Sequence, residues 1–230
     1  MATERQAAFQ LLDSAESKSR ELKKARYETS VDIAMPIGQS HQLINTHVDV
    51  LVEVDHTKKV AFMRVDEYPV DRRSRKTTET YYTRDTKFIK EGEQWKREKI
   101  NLGDFDKLFG SEGLSKILNS NFCEKEDFSI AEPSRENVQR LTSTAPLEKL
   151  VNVKRDAANV YGNFSHQLER NSLNIEIDQQ TGGVNQIEID GSGILGQAGA
   201  EQRYEEKAVV KIIPLSDEFE VELPDGTTSL

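Results

Sequence analysis

The sequence predicts a single α+β domain, on three observations. An amphipathic helical pattern opens the chain, and a long stretch of two-residue alternation follows it. After further helical spacing, a glycine-turned hairpin brings the alternation back. No internal repeat interrupts that order, and no linker is long enough to separate two domains, so the 230 residues of 1–230 are expected to share one core.

The opening segment, 3–25, sets Ala8, Leu11, Leu12, Ala15 and Leu22 along one stripe and Glu, Lys, Arg and Ser on the other face. Such a helix is expected to lie on its own domain, because a membrane-surface helix would carry bulkier apolar residues and a mostly basic polar face. Over 27–98 the period falls to two, as in an antiparallel meander. In Leu43–Val54, Ile44, Thr46, Val48, Val50, Val52 and Val54 share one face. Asn45, His47, Asp49 and Glu53 take the other, with Leu51 as the apolar exception. A turn at Asp55–Lys58 leads to a partner strand at Lys59–Val65, and a basic break follows at Arg72, Arg73, Arg75 and Lys76. Glu79–Thr83 then pairs with Lys87–Lys90, and Gln94–Glu98, with Trp95, adds a short strand.

Helical spacing returns over 101–120 as a broken helix. Asp104 caps a turn holding Phe105, Leu108 and Phe109, Gly110–Gly113 interrupts it, and Leu114, Ile117 and Leu118 resume it. The stretch 126–190 reads as strands at Asp127–Ile130 and Asn137–Thr142, then a helix from Pro146 to about Arg170. Its hairpin sets Leu173, Ile175 and Ile177 against Ile187 and Ile189 across Gln179–Gly183. Over 191–230 come a glycine-rich loop at Gly191–Gly199, a last strand at Lys207–Ile213, and a strand-like ending that runs into a polar tail at Glu222–Leu230.

Composition excludes several function classes. No run approaches the roughly 18 apolar residues of a membrane helix. A net charge of -9 disfavours a general nucleic-acid binder. One cysteine, Cys123, excludes an internal disulfide framework and a thiolate zinc cluster. Four histidines and one tryptophan are a poor inventory for catalysis, so no cofactor and no enzymatic activity are expected. The first ten residues carry no basic segment followed by an apolar one, which fits a cytosolic start or a secreted chain without its leader.

A few motifs carry chemistry in principle. Gly191-Ser-Gly-Ile-Leu-Gly196 matches the dinucleotide-binding pattern, but the preceding strand closes a hairpin and too little chain follows for a parallel unit, so it reads as a loop. His47 and Asp49 share a strand face with His41 and His56 nearby, as a general base or metal ligand would need or as a solvated face provides. His166 beside Ser165 lacks a paired acid, and Cys123 has no histidine near it in sequence. Asn163-Phe-Ser165 fits the glycosylation pattern, which matters only in a eukaryotic secretory setting. The basic cluster Arg72, Arg73, Arg75 and Lys76 suits phosphate head groups, an acidic partner or a solvated loop.

Taken in order, several short motifs resemble a known family. They are Lys18-Ser-Arg-Glu-Leu22 leading into Tyr27-Glu-Thr-Ser-Val31, Tyr81-Tyr82 with Glu93-Gln-Trp95, and Pro146-Leu-Glu-Lys-Leu150. Leu173-Asn-Ile-Glu-Ile-Asp178-Gln-Gln-Thr-Gly182-Gly-Val184 and the closing Phe219-Glu-Val-Glu-Leu-Pro224 complete the set. Together they resemble the bacterial extracytoplasmic lipoproteins of the LolA/LppX-like superfamily. The resemblance implies a strongly curved antiparallel sheet, a half-barrel, with helices packed in or across its concave face. It implies a non-enzymatic cell-envelope protein that binds an acyl chain or another hydrophobic ligand in that concavity. The partners implied are a lipid or lipoprotein acyl chain and an envelope protein. The membrane is reached only through a lipidated N-terminus at the bacterial cell surface, with a leader that this chain lacks. Lining residues expected on this basis are Val48, Val50, Val52, Phe62, Phe88, Trp95, Leu108, Phe109, Leu114 and Ile117. Arg72, Arg73, Arg75 and Lys76 are expected to meet a head group or partner, and Gly110–Gly113 and Gly191–Gly199 to be the mobile parts. An interaction module of the same fold, with a filled core and no ligand, is the alternative.

Overall fold

The computed structural model describes residues 2–37, 42–68, 74–110, 124–144, 165–196 and 202–224. Helix α1 (Ala2–Arg20) comes first, with Glu4 in its first turn and Lys18 and Arg20 in its last, each sign where the helix dipole favours it. Eleven strands follow among the described residues: β1 (Lys24–Ile37), β2 (Gln42–Asp55), β3 (Val60–Tyr68), β4 (Lys76–Tyr82), β5 (Thr86–Glu91), β6 (Gln94–Lys99), β7 (Phe128–Ala131), β8 (Val138–Thr144), β9 (Ser165–Asp178), β10 (Val184–Gly196) and β11 (Gln202–Pro214). A short helix α2 (Asp104–Phe109) stands between β6 and β7. All eleven strands form one antiparallel sheet in the order β6-β5-β4-β3-β2-β1-β11-β10-β9-β8-β7. The sheet is curved and unclosed, with β6 and β7 as its free edges. Each half is a meander of sequence neighbours, and the β1–β11 pairing from Ala25↔Pro214 to Ala34↔Glu205 joins them.

Both helices lie on the same side of the sheet. Ala8, Leu12 and Ala15 of α1 are wholly buried against Phe128, Leu141, Leu173, Ile175 and Ile187. The two alanines let the helix axis come close to β7–β10, and Leu12 is the one large side chain of the stripe that is fully enclosed. Lys125 clasps α1 from a 3-10 turn, with its Nζ 2.6 Å from both Asp13 and Glu16. A second cluster forms where Phe105 of α2, 1 % exposed, packs on Ala25, Val54 and Ala61. Phe109 meets Tyr82 edge-on, with ring centroids 5.0 Å apart.

The β9–β10 turn shows how the sequence sets a register. The Asp178 carboxylate accepts the backbone N–H groups of Gln180 and Thr181 and the Thr181 hydroxyl, at 2.7–3.0 Å. These bonds, that from the Thr181 N–H foremost, hold its pKa below the usual carboxylate range. Gly182 takes φ 71, the left-handed conformation that lets the chain reverse.

The structure departs from the sequence reading at three places. The helix expected to end near Arg170 is instead strand from Ser165 onward, because β9 pairs with β10 along its whole length to Ser165↔Gly196. Gly191–Gly196 is no loop: it completes β10, held by β9 on one side and β11 on the other. Ladders on both sides outweigh the weak strand preference of glycine. The closing segment 215–224 is not a strand either. It is pinned by Lys24 Nζ, which donates to the carbonyls of Asp217 and Phe219 at 2.5 and 2.7 Å, and by a Lys58–Glu220 ion pair. The expected helix between Pro146 and Asn163, with the Asn163 motif, Gly113, Cys123, His41 and the Gln197–Gly199 end of the glycine-rich run, lies outside the described residues.

Candidate functional site

Cross-strand pairing fixes which side chains share the helix-bearing face. Tyr27 stands opposite Val52 and Ile212, Thr29 opposite Val50 and Val210, and Val31 opposite Val48 and Ala208. Val52 and Val50 in turn face Met63 and Val65. Val54 and Ala25, two steps along the same strands, pack under α2, which assigns this whole set to the inner face. On the β8–β10 side that face is fully enclosed beneath α1, with Leu141, Leu173, Ile175 and Ile187 at 0 % exposure. Across β1–β3 it is different. Val31, Val48, Val50, Val52, Met63 and Val65 are only half-buried, and they form a continuous apolar strip beyond the packed core. The inner face therefore has a filled half and a half whose aliphatic surface keeps contact with water.

The expected lining residues divide between the two faces. Val48, Val50 and Val52 lie on the inner strip, and Phe109 closes its lower end against Phe105 and Tyr82. Phe62, Phe88 and Trp95 lie on the outer face. Phe62 pairs with Tyr81, Tyr81 with Phe88, and the Phe62, Tyr81 and Trp95 rings run in sequence at centroid distances of 4.8 and 5.2 Å. Leu108 points into solvent at 58 % exposure. Leu114 and Ile117 fall outside the described residues, as do Arg72 and Arg73. Of the basic cluster, Arg75 lies over the outer face and grips Asp66, while Lys76 stands at the rim of the inner face 3.7 Å from Glu67. Sequence reasoning missed Tyr27, Val31, Met63, Val65 and Val210. The signal for them was present, because once Val54↔Ala61 fixes the β2–β3 register, alternation assigns every later pair.

Away from that aromatic row, the outer face across β11, β1, β2 and β3 is largely polar. A groove of about 770 Å³ crosses β11, β1, β2 and β3 between Arg26, Glu28, Ser30, Asp49, Arg64, Asp66 and Lys211. Burial pushes the Asp66 carboxyl up, but hydrogen bonds from Arg75 and Thr77 outweigh it and hold the pKa below the usual range. The expected His47 and Asp49 pair is also on this face. His47 Nδ1 lies 2.9 Å from Asp32 and Nε2 3.1 Å from Asp49. Each ring nitrogen thus has a carboxylate beside it, an arrangement that favours the protonated ring. Among the described residues no group of three or more His, Cys, Asp or Glu is placed to hold a metal.

That clamp has a pH signature. The Asp32 hydrogen bond raises the His47 pKa above its ordinary 6.5; partial desolvation opposes this and Asp49 adds to it. A pKa raised on folding gives stabilisation that is complete below the unfolded value and fades as pH rises through the folded one. The His47 ring resonances should therefore titrate above pH 6.5, and Asp32→Asn should bring the midpoint back down. A wild-type midpoint at or below 6.5 by NMR would show that the clamp does not hold in solution.

A curved, unclosed sheet with a helix across one face and an apolar strip beside it is an architecture known from solved proteins. LprF from Mycobacterium bovis shares it, with TM-score 0.50 and 9% identity over 95% of this chain and 97% of that one. The lipoprotein LppX from Mycobacterium tuberculosis aligns over 94% and 98% of the two chains, at 12% identity and TM-score 0.46. A LolA superfamily protein from Nitrosomonas europaea aligns over 95% of each, at 11% identity and TM-score 0.27. No family model and no curated protein matches the chain. At these identities the likeness is one of fold alone, the fold that LprF shares with this chain.

Proposed function

We propose that this chain binds, without catalysis, an acyl chain or another hydrophobic ligand along the inner face of its curved sheet. The observation that carries the reading is the contrast between the two halves of that face. One half is sealed by α1, while the strip of Val31, Val48, Val50, Val52, Met63 and Val65 stays half-buried. An aliphatic strip of this kind gains by covering itself with apolar chain, at roughly 0.8 kcal/mol per methylene removed from water. Val48, Val50 and Val52 are the proposed wall, with Tyr27 and Val210 beside them. Lys76 at the rim is the one described member of the basic cluster on the ligand's side. The motif resemblance to extracytoplasmic lipoproteins supports a place at the bacterial cell envelope, and no helix among the described residues is long and apolar enough to cross a membrane.

The test is direct. Purified protein extracted with chloroform and methanol should release lipid detectable by mass spectrometry, and stripped protein should take up a fluorescent acyl chain. Clean extracts combined with no uptake would overturn the proposal and leave the reading of an envelope interaction module with a filled core.

A further inference from the structure

The two most exposed large apolar side chains among the described residues stand close together in the chain. Leu102, at 73 % exposure, lies in the loop that leads into α2, and Leu108, at 58 %, lies in α2 itself. Neither is exposed through looseness. Phe105, between them, is buried against Ala25, Val54 and Ala61, which fixes α2 on the sheet. The loop is tied down as well. The Ile100 N–H donates to the Asp85 carbonyl at 2.9 Å and joins the loop to the β4–β5 turn, while Lys59 of the β2–β3 turn donates to both carboxylate oxygens of Asp106.

Cations surround the leucines. A cavity of about 450 Å³ opens beside Leu102, lined by Lys58, Lys59, Arg84, Gly103 and a single acid, Asp106. Lys59 takes Asp106, and Lys58 takes Glu220. Arg84 is exposed and has no hydrogen bond or ion pair among the described residues. Lys107, next to Leu108, is a further exposed cation. In a chain of net charge -9, a cavity lined by three cations and one acid is an exception that calls for an anion.

Aliphatic side chains among cations suit an interfacial surface, where the apolar groups enter the head-group layer and the cations meet lipid phosphates. Protein interfaces centre instead on aromatic anchors, and leucine is under-represented among them. We infer that the α2 end of the protein docks on an anionic lipid surface, with Leu102 and Leu108 in the head-group layer and a lipid phosphate drawn to Arg84. Phe109 of the same helix closes the lower end of the inner strip, so docking brings that end to the bilayer. The docking surface stands whether or not the strip takes an acyl chain.

Flotation with lipid vesicles tests it on the full chain. Mixed phosphatidylglycerol and phosphatidylcholine vesicles should bind the protein about tenfold or more tightly than phosphatidylcholine alone. Leu102→Ser should weaken that binding about tenfold. Arg84→Gln should weaken it about fivefold, and on the anionic vesicles only. Ile130→Ser, an exposed apolar position on the far edge strand β7, and Val50→Trp on the inner strip should leave it unchanged. Circular dichroism establishes that each variant is folded. Binding to neither vesicle, equal binding to both, or full binding by Leu102→Ser overturns the docking surface. Displacement by inorganic phosphate at matched ionic strength, with Leu102→Ser silent, would make the cavity a site for free anions and overturn it too. Loss of binding in Val50→Trp would show that vesicles are held through the inner strip instead.

Discussion

Leu12→Ala should lower the free energy of unfolding by about 2–5 kcal/mol, measured by denaturant titration with an unchanged slope. A 19-residue helix of this composition is marginal alone in water, so α1 owes its place to its apolar stripe. Only Ala8, Leu12 and Ala15 of that stripe are fully enclosed, and two of the three are too small to leave a large hole when changed. Leu12 reaches into the Leu141, Leu173 and Ile175 layer, where truncation leaves a cavity among branched side chains held rigidly by the sheet. Leu11, half-buried beside it, should cost less on the same change. A loss below about 1 kcal/mol at Leu12 would show that the helix is not seated on β8–β10 as described.

The second large effect is on binding. Val50→Trp should weaken acyl-chain affinity by about three orders of magnitude, because an indole laid over the inner strip denies contact to about five methylenes, or about 4 kcal/mol. The adjacent residue supplies the control. Leu51 lies on the opposite face of β2 and lines the outer groove, so Leu51→Trp should leave acyl affinity unchanged. Both variants keep a strand-compatible side chain at a half-buried position, and their melting temperatures should stay close to wild type. Equal losses from the two changes would place the ligand elsewhere; no loss from Val50→Trp would remove the inner strip as the binding surface.

Much of this is legible in the amino-acid order alone. Alternation in Leu43–Val54 puts Val48, Val50 and Val52 on one face, and the turn-rich order of short strands makes a meander. Alternation does not say which of two faces looks towards the helices, however. Phe62, Phe88 and Trp95 read as lining because they are aromatic, yet pairing through Tyr81 sets them on the far side. Ser165–Arg170 and Gly191–Gly196 are illegible for a different reason. Neither stretch has strand-forming composition, and each becomes strand only through partners far away in sequence, β10 for the first, β9 and β11 for the second.

β1 is the first strand of the chain, yet it lies at the middle of the sheet, and its neighbour on one side is β11, the last described strand. The hairpins within either half can close locally and early. The β1–β11 seam joins segments near the two ends of the sequence, and its closure entropy is the largest in the molecule. Folding speed should be governed by that one long-range event rather than by any turn. Until it occurs, the meander of β1–β6 and the meander of β7–β11 that seats α1 are separate pieces, and the inner face is continuous only once the last described strand has docked on the first.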